Sequence, residues 1–139
     1  MSAVDSLIRL HRWQLDERRR ELADLEALAE RLRQDGARLV EEKNAEQAIA
    51  AGSPEAATAY AGYARRFIAR RQKLEQSLAS VEARIVVARE ALAEAYQEVK
   101  RYEIAANNRA MQQRKRLDRV QQLSLDEIGI ENLRRKKKS

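Results

Sequence analysis

The sequence predicts an all-α fold. The expected form is an antiparallel two-helix coiled-coil hairpin with unequal arms, a short C-terminal helix and a basic tail. Three observations predict it. Charged residues make up 36% of the 139 residues and aromatics only 4%, a balance typical of long helices and coiled coils. Apolar residues recur at alternating steps of three and four, the mark of a left-handed coiled coil. The only proline, Pro54, follows Gly52 and Ser53 in a chain otherwise written for helix.

The first helix is expected over residues 5–51. Its apolar seam reads Ile8, Leu15, Leu22, Leu25, Ala29, Leu32, Gly36 and Leu39. Asp16 and Arg20 stand four apart in the favourable order for an ion pair. Gly36 inside a helix costs about 1 kcal/mol relative to Ala; it either admits a close partner helix or softens the first helix. At the turn, residues 52–53, Gly52 suits a left-handed residue just past a helix end. Ser53 is a good N-cap, Pro54 fits the first helical position, and Glu55 faces the positive end of the dipole. So short a connection makes the two helices antiparallel.

The second helix is expected over 54–123. One row of its seam is Tyr60, Phe67, Leu74, Val81, Ala88, Ala95 and Tyr102; the interleaved row is Ala64, Leu78, Ile85, Leu92, Val99 and Ala106, broken by Arg71. Beyond Ala106 the same positions carry Arg109, Gln113 and Arg116 before Val120 and Leu123. At 1.5 Å per residue the arms span roughly 70 and roughly 105 Å, so the far part of the second helix has no partner from the first. Folding about the turn puts Leu39 near Phe67, Leu22 near Ile85 and Ile8 near Val99. Ser124 and Glu127 form a capping box that opens a short helix over 125–134. A basic tail, 135–139, is expected to be disordered in isolation. The whole is one coiled-coil domain, 1–139.

Composition narrows the function. With no cysteine and one histidine, disulfide frameworks, Cys zinc sites, His metal clusters and the usual catalytic triads have no residues to form them. No metal or cofactor is expected. Carboxylates are spread along helices with no cleft to shift them, and a two-helix seam encloses no pocket. The chain is therefore expected not to be an enzyme. It lacks the apolar core of a signal peptide and any run long enough to span a membrane, so a soluble cytoplasmic protein is expected. The net charge of +6 lies wholly within residues 101–139, which carry 11 basic and 5 acidic side chains. That basic end suggests an acidic partner. Solvated charge is the plainer alternative, and no nucleic-acid-binding motif accompanies it.

Two further stretches stand out. In "YAGYARRFIARR", Tyr60, Tyr63 and Phe67 gather half of the six aromatics just after the turn. They either fill the seam opposite Lys43 and Glu46 or form a docking patch of the aromatic and Arg kind that interfaces favour. In "LIRLHRW", Trp13 is expected to pack on the second helix near Val99 and Tyr102, and His11, at a seam position, to have a packing or surface role and not a catalytic one.

The segments "LIRLHRWQLDERRREL", "YAGYARRFIARRQKLEQSL", "VEARIVVAREALAEAYQEVKRYE" and "LDEIGIENLRRKK", in that order and spacing, resemble the FliJ family of the bacterial flagellar type III export apparatus. The resemblance covers essentially the whole chain. It implies an antiparallel two-helix coiled coil similar to the stalk subunit of rotary ATP synthases. The implied partners are the hexameric flagellar export ATPase, entered by the helical termini, the membrane export-gate protein, and export chaperones. The protein would sit at the cytoplasmic face of the inner membrane, held there through partners. Carried over by position, Tyr63, Phe67 and Arg71 would contact the gate. Arg9, Arg12, Arg109, Arg114, Lys115 and Arg119 would face the ATPase ring. Two alternatives stay open: a stalk protein of an injectisome, and a basic coiled coil that binds nucleic acid.

Overall fold

The computed structural model describes residues 2–138. Met1 and Ser139 of the expected 1–139 domain lie outside the described residues. Two helices make up the fold, α1 (Ala3–Ala50) and α2 (Pro54–Lys138), joined by a three-residue connection into a hairpin.

The turn is built largely as its residues dictate. The Ser53 hydroxyl accepts the Ala56 amide at 3.1 Å, and its carbonyl accepts the Ala57 amide at 3.0 Å, opening α2. The α1 end tightens into a last bond from the Gly52 amide to the Ile49 carbonyl at 3.0 Å. Gly52 is not left-handed, contrary to the sequence expectation, since no glycine has a positive φ. What the position requires is space: a Cβ there would stand 3.2 Å from the Ile49 carbonyl oxygen.

α1 begins two residues earlier than expected. Ser2 and Asp5 bond reciprocally, the Ser2 amide to the Asp5 carboxylate and the Asp5 amide to the Ser2 hydroxyl, each at 3.2 Å. This is a capping box with Asp in the Glu position. At the other end, α2 runs without interruption through Ser124 and Gly129 to Lys138. There is no separate helix over 125–134, and residues 135–138 are helical instead of a disordered tail. Good helix formers on both sides outweigh one glycine at about 1 kcal/mol. The run of Arg and Lys lies at the negative end of the helix dipole, where cations stabilise.

The chain divides into two compact units. In the unit Trp13–Tyr96 the helices meet along a seam of buried Leu15, Ala29, Leu39, Phe67, Val81, Ile85 and Ala88. Its centre is Ala29, Val81 and Ile85, with Leu22, Leu25, Leu28, Leu32 and Leu78 packed against them. Folding about the turn puts Leu22 opposite Ile85 in the sequence expectation; the crossing ion pairs Arg89–Glu26 and Arg33–Glu82 instead set Ile85 opposite the stretch just after Ala29. Each fully buried Leu, Ile, Val or Phe contributes about 1.5–3 kcal/mol relative to exposure. Exposed ion pairs cross between the helices at Arg33–Glu82, Arg89–Glu26 and Arg70–Glu42. Near the turn, Phe67 lies opposite Lys43, and Leu39 lines a groove with Leu74. Leu74 lies seven residues beyond the Phe67 expected opposite Leu39, so pairing here is displaced by about two helical turns from that expected by folding about the turn. Helical side chains lean towards their own N-terminus, so in an antiparallel pair contacting residues lie further from the turn on α2 than simple counting gives.

In the second unit, Met1–Arg12 with Gln97–Ser139, Ile8 and Val99 are buried. His11 stacks on Tyr102 with ring centroids 4.6 Å apart and planes 20° apart. Arg12 reaches Glu103 at 3.3 Å. After Ala106 every described residue of α2 whose side chain is placed, 107–137, is exposed. The seam ends where its positions turn to Arg and Gln, as the sequence indicates.

Candidate partner-binding surfaces

The first surface lies just after the turn. Tyr60 and Tyr63 stack at 6.0 Å. Phe67, only 6% exposed, is seam core, with the Lys43 Nζ 5.4 Å from its ring centroid. The Tyr63 hydroxyl is buried without a hydrogen-bond partner. Desolvation pushes its pKa above the ordinary tyrosine value, and the Glu42 and Glu46 carboxylates add to the rise. The phenol therefore stays neutral and acts as packing surface with a spare donor. What faces outward is Ile68, 55% exposed, and one turn on, Arg71, whose Nε bonds Glu75 at 3.0 Å. Both readings of the aromatic cluster are thus partly realised: Phe67 fills the seam, while Ile68 and Arg71 offer an open face.

Trp13 is 58% exposed. It does not bury itself in the seam as expected, because it falls between the seam positions His11 and Leu15. Asp16 pairs with Arg19 at 3.2 Å and Arg20 with Glu17 at 2.7 Å, so the expected Asp16–Arg20 pair gives way to two three-apart pairs. A Cβ at Gly36 would meet nothing within 4 Å. Of the two roles open to this glycine, softening remains and close approach does not.

The second surface is the exposed part of α2. Residues 107–137 carry nine basic and four acidic side chains. Leu117, Val120, Leu123, Leu125, Ile128, Ile130 and Leu133 are each between 54% and 63% exposed. At 100° per residue they point to every side of the helix. Such a distribution suits a helix enclosed by a partner, not one lying on a flat surface.

The whole chain carries one further finding. Residues 1–138 match the family described as "FliJ: Flagellar FliJ protein". The chain belongs to the FliJ family. No curated protein and no solved structure matches it. Membership gives it a non-catalytic role in flagellar export. No helix among the described residues is long and apolar enough to cross a membrane.

The six basic residues that the FliJ resemblance singles out are not gathered equally. Arg9 and Arg12 line a shallow groove with Asp5 and Ile8 on α1. Arg109 lines a notch beside Ser2, Val4 and Asp5, where α1 starts along α2. Arg114, Lys115 and Arg119 stand about one to three turns beyond Arg109, exposed on α2. The sequence reading missed Ile68, whose only signal is an apolar residue directly after a seam position. It also missed the acidic block Asp126, Glu127 and Glu131, masked in the segment's net positive charge.

Proposed function

We propose that this FliJ-family chain is a stalk-like component of the flagellar export apparatus whose exposed α2 segment enters the hexameric export ATPase. The observation that carries the reading is the exposed stretch 107–137, basic overall and apolar on all sides. A ring surrounds its occupant, so every apolar face finds cover there. Acidic walls would attract Arg114, Lys115 and Arg119 and speed entry. Arg9, Arg12 and Arg109 reinforce the same charge near the start of α1. The turn-proximal surface meets the membrane export gate through Tyr63, Ile68 and Arg71, with Phe67 holding the helices at the spacing that presents them. The chain works at the cytoplasmic face of the inner membrane through these partners, and hands on export chaperones there.

The test is stimulation of the export ATPase by the variant R114E/K115E/R119E. Single exposed charges are worth about 0–1 kcal/mol, so the three together should lower stimulation severalfold while gate binding stays intact. Unchanged stimulation at physiological salt would remove the ring contact from this segment.

A further inference from the structure

The exposed part of α2 is more than a basic helix. Its charge falls in two blocks of opposite sign. Arg109, Arg114, Lys115, Arg116 and Arg119 against Asp118 make the first strongly positive; Asp126, Glu127 and Glu131 make residues 124–133 negative. The blocks lie either side of the apolar pair Val120 and Leu123, which continue the two seam rows past the end of cover by α1.

We propose that this segment pairs with the same segment of a second copy of the chain, antiparallel, about a two-fold axis between Gln121 and Gln122. The seam positions 113, 116, 120, 123, 127 and 130 fix the register. In that register Val120 of one chain meets Leu123 of the other, and Leu123 meets Val120. Arg116 falls opposite Glu127 on both sides of the axis, and Gln113 opposite Ile130. At the flanking positions Arg119 faces Asp126. The arrangement is self-complementary, as a two-fold contact must be, and each oppositely charged pair forms twice; one layer further out Arg109 falls opposite Arg134, a like-charge layer that confines the pairing to residues 113–130.

Alternative registers fare worse. A parallel pair would set Arg116 against Arg116 and Glu127 against Glu127, like charges within the seam. Sliding the antiparallel pair by one heptad either way sets Val120 against Arg116 in one direction, or Leu123 against Glu127 and Arg116 against Arg134 in the other. The groups are available in the single chain. Arg116, Arg119 and Glu127 form no ion pair among the described residues, and Asp126 accepts only the Gln122 side-chain amide, at 3.2 Å. With two apolar layers and charged layers outside them, the pairing is weak and reversible.

The test is the oligomeric state of the full free chain, by sedimentation and native mass spectrometry from micromolar to millimolar concentration. A monomer–dimer equilibrium is expected, weakened at least about tenfold in Kd by R116E/R119E. Loss of helix in that variant would mislead, so a second variant has the signs exchanged within one chain, R116E/R119E/D126R/E127R. It should dimerise again, because every pair re-forms reversed. A nitroxide at Asn108 should report an interchain distance of about 40 Å in the antiparallel pair, from a 1.5 Å rise per residue. A chain that stays monomeric throughout would overturn the proposal. So would a sign-exchanged variant that fails to dimerise, or a short Asn108 distance indicating parallel helices.

Discussion

Replacing Phe67 and its neighbour Ile68 separately by Ala divides packing from docking. Phe67 is 6% exposed and Ile68 55%, so the two truncations remove very different things. A buried Phe→Ala change costs about 3–5 kcal/mol in protein cores. A two-helix seam is open to water along both sides and can close partly over the gap, which puts the cost near the lower figure. Loss of the Lys43 contact adds about 0.5 kcal/mol. At a few degrees per kcal/mol for a domain of this size, Phe67→Ala should lower the melting temperature by roughly 10 °C. Ile68→Ala trims a side chain that is more than half exposed and should stay within about 0.5 kcal/mol of the parent. Circular dichroism melts and export-gate binding are measured on both variants. Phe67→Ala should lose thermal stability and gate binding together, and Ile68→Ala gate binding alone. A Phe67→Ala chain that melts like the parent yet fails to bind would show that the ring points into the partner, and the packing argument would fail. Full gate binding by Ile68→Ala would remove the outward face from the interface.

Glycine substitutions should split in sign. Gly36→Ala should stabilise by about 1 kcal/mol, read as a higher melting temperature, because a Cβ there meets nothing within 4 Å. Gly52→Ala should destabilise, because its Cβ would crowd the Ile49 carbonyl at 3.2 Å, and equal melting of these two variants would refute the distinction. Bonds from Ser2 hold the Asp5 carboxyl below the ordinary aspartate range. Since the folded value is depressed, the first-turn stabilisation is present above the unfolded pKa and fades as pH falls through the folded one. An NMR titration should show Asp5 titrating low in the parent and closer to normal in Ser2→Ala.

The sequence carried the helices and the turn because each rests on short-range physics. Steps of three and four are geometry, and Ser53-Pro54 is a capping signal that the Ala56–Ser53 bond realises. The continuation of α2 was not legible. Ser124 and Glu127 have capping-box spacing, but a box acts only where the chain has a reason to stop, and Gly129 alone is too cheap a reason. The tail "RRKKK" reads as solvated charge in isolation, yet at a helix C-terminus the same charges favour helix. Phe67 shows the limit for the candidate site. Its residue type suits both core and interface, and only the register of α1 against α2, displaced from simple counting about the turn, decides that it faces Lys43. Ile68 became a candidate only once that side was closed.

The same comparison explains why α2 keeps charged residues at seam positions after Ala106. Had Arg109, Gln113, Arg116 and Glu127 been Leu or Val, the free helix would pair permanently with any apolar stripe, its own copy included. Each buried aliphatic side chain would add about 1.5–3 kcal/mol to a contact meant to be exchanged. Charged layers hold two chains only when opposite signs meet, and exposed pairs contribute about 0–1 kcal/mol each. A self-paired form of this strength covers Val120 and Leu123 while the chain is free. It leaves Leu117, Leu125, Ile128 and Leu133 on other sides of the helix for a surrounding partner. On the proposed reading, an enclosing ring that covers all of these faces would gain more than the second copy can, and would displace that copy without any further switch.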